Sequence, residues 1–124
     1  ASIAAILASS LAFSSRARLA MAASGGFGVA CAAVEGLTRT LAAELGPQGI
    51  RVACLRPHRI GETMKEADFP MGRDEFRRFI EEMTLLKRLP PLDDVANTAA
   101  FYASERAAAI TGAVANLTCG MSVD

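Results

Sequence analysis

Few side chains in this sequence are equipped for chemistry, and their spacing limits what they can do. His58 is the only histidine, so a histidine metal cluster cannot be built within one chain. An imidazole titrates near neutrality by itself, which makes His58 a candidate acid, although a partly exposed loop histidine is the plainer reading. Cys31, Cys54 and Cys119 are odd in number and show no C-x-x-C spacing, which argues against a disulfide framework or a zinc site. As free thiols at apolar positions they behave as small hydrophobes and fit a reducing, cytoplasmic setting. Serines cluster at Ser9, Ser10, Ser14 and Ser15. Gly25-Gly26-Phe27-Gly28 is glycine-rich and opens a predicted helix, the arrangement that seats phosphate groups elsewhere.

The balance of charge narrows the partners. Lys and Arg together number 13, as do Asp and Glu, so the formal net charge is zero. No basic stripe stands out, and Arg16-Ala17-Arg18 and Arg77-Arg78 read as solvated faces, so nucleic acid is not an expected partner. Apolar residues make up 52% of the chain and charged residues 21%, a globular proportion with no disordered or fibrous bias. The Ala-rich opening, Ala1 to Ala12, imitates a secretory signal. No basic segment precedes it and no Met begins it, so it reads better as a chain opening inside a fold. No apolar run reaches the roughly 18 residues of a membrane span.

The elements that would position these residues follow from periodicity. Ser2 to Leu7 is a short continuous apolar run, as expected of a strand buried on both faces of a parallel sheet. Ser9 to Ser24 reads as a loop. A long helix is predicted from Phe27 to Leu45, with Val34, Leu37, Leu41 and Leu45 on the covered face and Glu35 and Arg39 paired on another. Gly46-Pro47 ends it. Ile50 to Leu55 is a second buried strand, followed by an irregular segment from Pro57 to Pro70. A helix over Arg73 to Leu86 carries Phe76, Phe79, Ile80 and Met83 on its apolar side. After Pro90-Pro91, a helix over Asp93 to Ser104 places Val95, Ala99 and Tyr102 together. Thr111-Gly112 turns into a strand over Ala113 to Leu117. Strands alternating with helices predict an α/β fold with a parallel sheet and right-handed crossovers.

The segment from Val34 to Val52, VEGLTRTLAAELGPQGIRV, resembles the active-site helix and following strand of short-chain dehydrogenases/reductases. LKRLPPLDDVANTAA, Leu86 to Ala100, resembles that family's GR-x-x-x-PEDVA helix. Phe101 to Ala107 with Ile110-Thr111-Gly112 resembles its FLAS…ITG ending. The resemblance covers nearly the whole chain. It implies a doubly wound, Rossmann-type α/β fold, of which residues 1–124 would be a single partial domain, the C-terminal portion. It also implies an NAD or NADP cofactor for a longer protein, with none expected for this stretch alone. The glycine-rich cofactor fingerprint would lie before residue 1, and Gly25-Gly26-Phe27-Gly28 stands at the wrong place in the family order.

The resemblance also places the family's catalytic positions. Its Y-x-x-x-K, in which the tyrosine transfers a proton and the lysine lowers its pKa, falls on Phe27 and Cys31. Neither side chain can replace the chemistry. Tyr102 is followed four residues later by Arg106 and so imitates the motif, but it stands where the family has a packing leucine. The catalytic serine corresponds to Ser14, with Ser9, Ser10 and Ser15 as competitors. The family's Pro-Gly beside the nicotinamide appears as Pro57-His58, and Ile60 and Thr63 match residues that contact the carboxamide and phosphate. His58 is then a replacement acid to consider. The family's final Gly-Gly reads Cys119-Gly120.

Two functions compete on this reading. One is NAD(P)-dependent hydride transfer to or from a small-molecule carbonyl or alcohol, with degenerate catalytic positions. The other is a non-catalytic Rossmann-like subunit that binds nucleotide or a partner. Small residues along the long helix, Ala30, Ala33, Gly36, Thr40 and Ala43, invite a second helix. A homodimer or homotetramer built through residues 27–45 and 95–123 is the expectation. A pure interaction module has only the apolar helix face in its support.

Overall fold

The computed structural model describes residues 3–8, 26–64 and 72–123. Its elements are β1 (Ile3–Ala8), α1 (Phe27–Leu45), β2 (Ile50–Pro57), α2 (Arg73–Met83), α3 (Leu92–Ala103) and β3 (Val114–Leu117). Among the described residues the strands form one sheet in the order β1-β2-β3. Both pairings are parallel, from Ile3 opposite Ile50 to Ala8 opposite Leu55, and from Cys54 opposite Val114 to Pro57 opposite Leu117. The three predicted strands and their sense are therefore present, each within a residue or two of its expected bounds. Order, sense and flanking helices are those of a doubly wound, Rossmann-type α/β fold.

β2 is the centre of the structure, and Arg51 through Pro57 are all buried. Two of those residues are arginines. Successive strand residues point to opposite faces, so Arg51 and Arg56 leave the sheet on opposite sides. The Arg51 guanidinium donates to the Tyr102 carbonyl at 2.9 Å and the Ser104 carbonyl at 3.1 Å. These carbonyls close the last turn of α3, where a helix lacks internal donors and carries partial negative charge. Arg56 Nη1 meets Glu35 Oε1 of α1 at 3.3 Å. Each arginine thus ties a helix to one face of the sheet.

α1 spans the predicted residues, but its covered face differs from the expected leucine stripe. Leu37 is 49% exposed, whereas Cys31, Thr38 and Ala42 are the buried positions. Val34, Leu41 and Leu45 are half-buried. Thr38 is fully enclosed because its hydroxyl donates to the Val34 carbonyl one turn back at 2.8 Å. With its polar group satisfied internally, threonine serves as a small packing residue. Small side chains along this line allow α1 to lie close over β2. Where the chain reverses after α1, Gly46 keeps right-handed helical backbone, and it is Gly49 that takes the left-handed conformation, at φ 76.

α2 stops at Met83, short of the expected Leu86. The buried Thr84 hydroxyl donates to the Glu81 carbonyl (2.9 Å) and accepts from the Arg88 N–H (3.1 Å), which turns the chain out of the helix. Of its predicted apolar side, Ile80 is buried and Phe76 packs against a small core of Met64, Ile80, Leu89 and Met121. Phe79 and Met83 are exposed, because that core is reached by only one edge of the helix. α3 begins and ends one residue earlier than expected, at Leu92 and Ala103. The turn after β3 closes on α2's exit: Leu86 N–H donates to the Cys119 carbonyl at 3.1 Å, and Gly120 sits at φ +83 against Leu85.

This last contact is testable. A Cβ at Gly120 would stand 2.6 Å from Leu85 Cβ, on a backbone conformation unfavourable to L residues. Gly120→Ala is expected to cost about 2–4 kcal/mol in urea unfolding of the intact protein. Gly46, in right-handed backbone at φ −54 with nothing within 4 Å of its would-be Cβ, is the control. Gly46→Ala is expected to be neutral or to stabilise by up to about 1 kcal/mol. Matching losses in the two variants would refute the packing of Gly120 on Leu85.

Candidate functional site

Parallel α/β sheets gather ligands at the carboxyl ends of their strands, where loops leave the sheet and backbone groups are no longer paired. Here that edge is formed by Ala8, Pro57 and Leu117. Pro57 is the last residue of β2 and buried; His58 follows directly. The His58 N–H donates to the Leu117 carbonyl at 3.4 Å, tying the exit of β2 to the end of β3. Ile60 then leads into a single turn of 3-10 helix, Gly61–Thr63, inside the segment expected to be irregular. Thr63 donates both its N–H (3.0 Å) and its hydroxyl (2.9 Å) to the Ile60 carbonyl. Pro57, His58, Ile60 and Thr63 are therefore held on one short, hydrogen-bonded path over the edge.

The other predicted site positions lie elsewhere. Ser14 and its competitors Ser9, Ser10 and Ser15 fall outside the described residues. Phe27 is the first residue of α1, after Gly26 at φ 88. Cys31, four residues on, is 7% exposed and belongs to the covered face of α1. A thiol enclosed in this way has neither the reach nor the charge of a lysine ammonium. Tyr102 is half-buried, with its ring edge-on to Phe101 at 5.8 Å. Arg106 lies over the Phe101 ring instead, 5.8 Å from its centroid, so the two do not form a proton-transfer pair.

Burial sets the protonation of His58. Desolvation, helped by the neighbouring charge of Arg59, lowers its pKa from 6.5 to about 4. The imidazole is thus neutral at pH 7, where residue type alone leads one to expect titration near neutrality. A neutral ring has one donor and one acceptor nitrogen. Its Nε2 is buried, with no hydrogen-bond partner among the described residues. Burial also raises the Cys119 thiol pKa; nearby Arg88 lowers it and Asp94 raises it. Cys119 stands at φ 53, a left-handed conformation at a position where glycine would be at ease. No group of three or more potential metal ligands occurs among the described residues. No described helix is long and apolar enough to cross a membrane.

Sequence reasoning missed a cleft beside the Gly61–Thr63 turn, of about 320 Å³, lined by Glu62, Met64, Arg73, Arg77, Leu89 and others. Glu62 accepts from the Leu92 N–H at 3.3 Å and so caps α3. Arg77 is engaged with Glu81 at 2.8 Å, which raises its pKa. The available signals were the chain breaks at Gly61 and Pro90-Pro91 and the four-residue spacing of Arg73 and Arg77.

Comparison with known proteins bears on this arrangement. The family model described as enoyl-(acyl carrier protein) reductase matches residues 3–122. (+)-Borneol dehydrogenase 2 of Salvia officinalis is 38% identical over 87 residues, which cover 64% of this chain and 31% of that protein. Short-chain dehydrogenase/reductase SDRA of Arabidopsis thaliana is 41% identical over 95 residues, 77% of this chain and 36% of that protein. Among solved structures, carveol dehydrogenase from Mycobacterium avium in complex with NAD superposes with a TM-score of 0.80 at 26% identity. That match covers 95% of this chain and 45% of the other. The chain spans about a third of the length of the curated relatives it matches.

The depressed pKa makes a pH prediction. Below pH 6.5 the unfolded chain takes up a proton on His58 before the folded one does. Its contribution to stability is therefore present above about 6.5 and lost as pH falls toward 4. Discounted for partial exposure, the loss between pH 7 and 5 is on the order of 1 kcal/mol. Urea titrations of the intact protein should show that loss shrinking in His58→Asn. Parallel pH dependence in the two proteins would mean that the ring is not held neutral.

Proposed function

The chain belongs to the short-chain dehydrogenase/reductase family, and from that premise we propose that in the intact protein it seats a nicotinamide dinucleotide, NAD or NADP, across the carboxyl ends of β1, β2 and β3. Within such a protein, residues 1–124 supply the C-terminal portion of the Rossmann-type domain. The observation that carries the reading is the ordered path from Pro57 to Thr63 at the edge of the central strand, tied to β3 through His58. Pro57 and Ile60 offer apolar surface to a ring, and Thr63 offers a hydroxyl oxygen able to accept a further bond. The bound cofactor would supply hydride transfer to or from a small-molecule carbonyl or alcohol.

Proton transfer is where this chain departs from an ordinary member of the family. The tyrosine and lysine positions are Phe27 and Cys31, and Cys31 is enclosed. His58, neutral at pH 7, is a weak substitute for a charged acid. Ser14 remains the residue proposed to match the family serine. We therefore read the protein as a cytoplasmic cofactor-binding member of the family whose turnover is attenuated. The second reading, a non-catalytic subunit, is favoured by the outer face of α1. Val29 is 76% exposed, and Leu37, Gly36, Ala30, Ala33, Thr40 and Ala43 also lie open. Such a face suits a homodimer or homotetramer through residues 27–45, with residues 95–123 as a second contact.

Calorimetric titration of the intact protein with NAD+ and NADP+ tests the leading reading. Binding of one dinucleotide, slow or no reduction of carbonyl substrates, and a gain of turnover in the Phe27→Tyr, Cys31→Lys double variant are expected. Fast turnover in the parent protein, or binding of neither dinucleotide, would overturn it. Association is tested by light scattering. Gly36 is exposed and a Cβ there meets nothing within 4 Å among the described residues, so Gly36→Glu should keep its fold. It would place an unpaired charge between packed helices, at a cost of several kcal/mol, and should yield a monomer. An unchanged oligomer would remove α1 from the interface.

A further inference from the structure

Left-handed backbone marks one junction of the fold. Among the described residues, Lys87 and Cys119 alone adopt it without being glycine, each at φ 53. In that conformation a Cβ crowds the backbone. The two residues meet. The Leu86 N–H, next to Lys87, donates to the Cys119 carbonyl at 3.1 Å, where the exit of α2 lies on the turn after β3. That turn is closed by the Met121 N–H on the Thr118 carbonyl at 3.1 Å. It has positive φ at both central residues, Cys119 and Gly120, a pattern that suits glycine, asparagine or aspartate. In the motif GR-x-x-x-PEDVA that this segment resembles, glycine stands at Lys87, and in the family's final Gly-Gly it stands at Cys119. Little else holds α2. Of its 11 residues Ile80 is the one that is buried, with Phe76 beside it on Met64, Leu89 and Met121. Its first turns lean on Gly61 through the Arg77 guanidinium, whose Cζ would stand 3.6 Å from a Cβ there. A helix secured by so little buried surface opens at a lower free energy than the sheet.

We propose that α2 is a hinged cover on the cleft lined by Glu62, Arg73, Arg77 and Leu89, pivoting at Lys87, and that the left-handed pair Lys87 and Cys119 holds the closed state under strain that opening relieves. Arg73 and Arg77 belong to the helix, Glu62 and Leu89 to the body, so a swing of α2 widens the cleft between them. The swing breaks the Leu86–Cys119 bond, draws Ile80 from its small core and lets Lys87 return to ordinary backbone. The Lys87 ammonium, bonded to the Glu82 carbonyl, travels with the helix. β2 and the two arginines that tie helices to it take no part. The device follows from a Cβ at two glycine positions and does not depend on what the edge of the sheet binds.

Hydrogen exchange on the intact protein in low urea is the test. Amides of α2 from Phe76 to Met83 should exchange through an opening that urea hardly promotes. Those of β2 from Val52 to Leu55 should exchange only through one that urea promotes steeply. The same urea dependence for both would mean that α2 leaves only when the whole fold does, and would overturn the cover. Lys87→Asn keeps a side chain that tolerates left-handed backbone and should slow α2 exchange about 3-fold. Lys87→Ala loses the same bond to Glu82 but retains the strain, and should not slow it. Lys87→Pro, fixed at a φ of about −65°, forbids the closed state and should strip α2 of protection while β2 keeps its own. Unslowed exchange in Lys87→Asn, or equal slowing in Lys87→Ala, overturns Lys87 as the pivot whether or not Lys87→Pro folds.

Discussion

The rest of the structure depends on the burial of β2. A strand enclosed on both faces has to satisfy every polar group it carries, and β2 carries two guanidinium groups. Each is engaged by a different helix, so their cost of burial becomes a constraint on architecture. Arg51 can be satisfied only if the end of α3 lies over one face, with the Tyr102 and Ser104 carbonyls turned toward it. Arg56 pairs with Glu35 on α1, over the other face. Buried ion pairs of this kind add little net stability, but leaving one partner alone is costly, which makes them selective for one arrangement.

That arrangement builds the carboxyl edge of the sheet. With helices held on both faces, the strands can end only in loops at top and bottom, and the carboxyl ends of β2 and β3 are brought side by side by their parallel register. The bond from the His58 N–H to the Leu117 carbonyl extends that register one step beyond the sheet. The same enclosure that places His58 also removes its charge, since desolvation and the neighbouring charge of Arg59 both disfavour the imidazolium. A residue that by type is a proton donor thereby becomes a neutral hydrogen-bonding group.

Much of this was readable from local pattern. A continuous apolar run marked β1, largely apolar stretches broken by Arg51 and by Asn116 marked β2 and β3, and the family segments from Val34 to Val52 and from Leu86 to Gly112 located α1 and α3. Periodicity failed where packing distance decides burial. A hydropathy pattern ranks Leu37 above Thr38, yet the close approach of α1 to β2 encloses the smaller threonine, whose hydroxyl is satisfied within its own helix, and leaves the leucine outside. The end of α2 was missed for a similar reason, since Thr84 competes for backbone groups through its side chain.

By itself, then, the amino-acid sequence determined the fold class, the family and the order of elements, because these follow from residue type and spacing along the chain. Only the tertiary structure decided which side of α1 is covered, which helix each buried arginine holds, and that His58 is neutral with an unanswered Nε2. Those properties depend on distance to groups far away in the chain and on the exclusion of water. Neither is a function of local sequence.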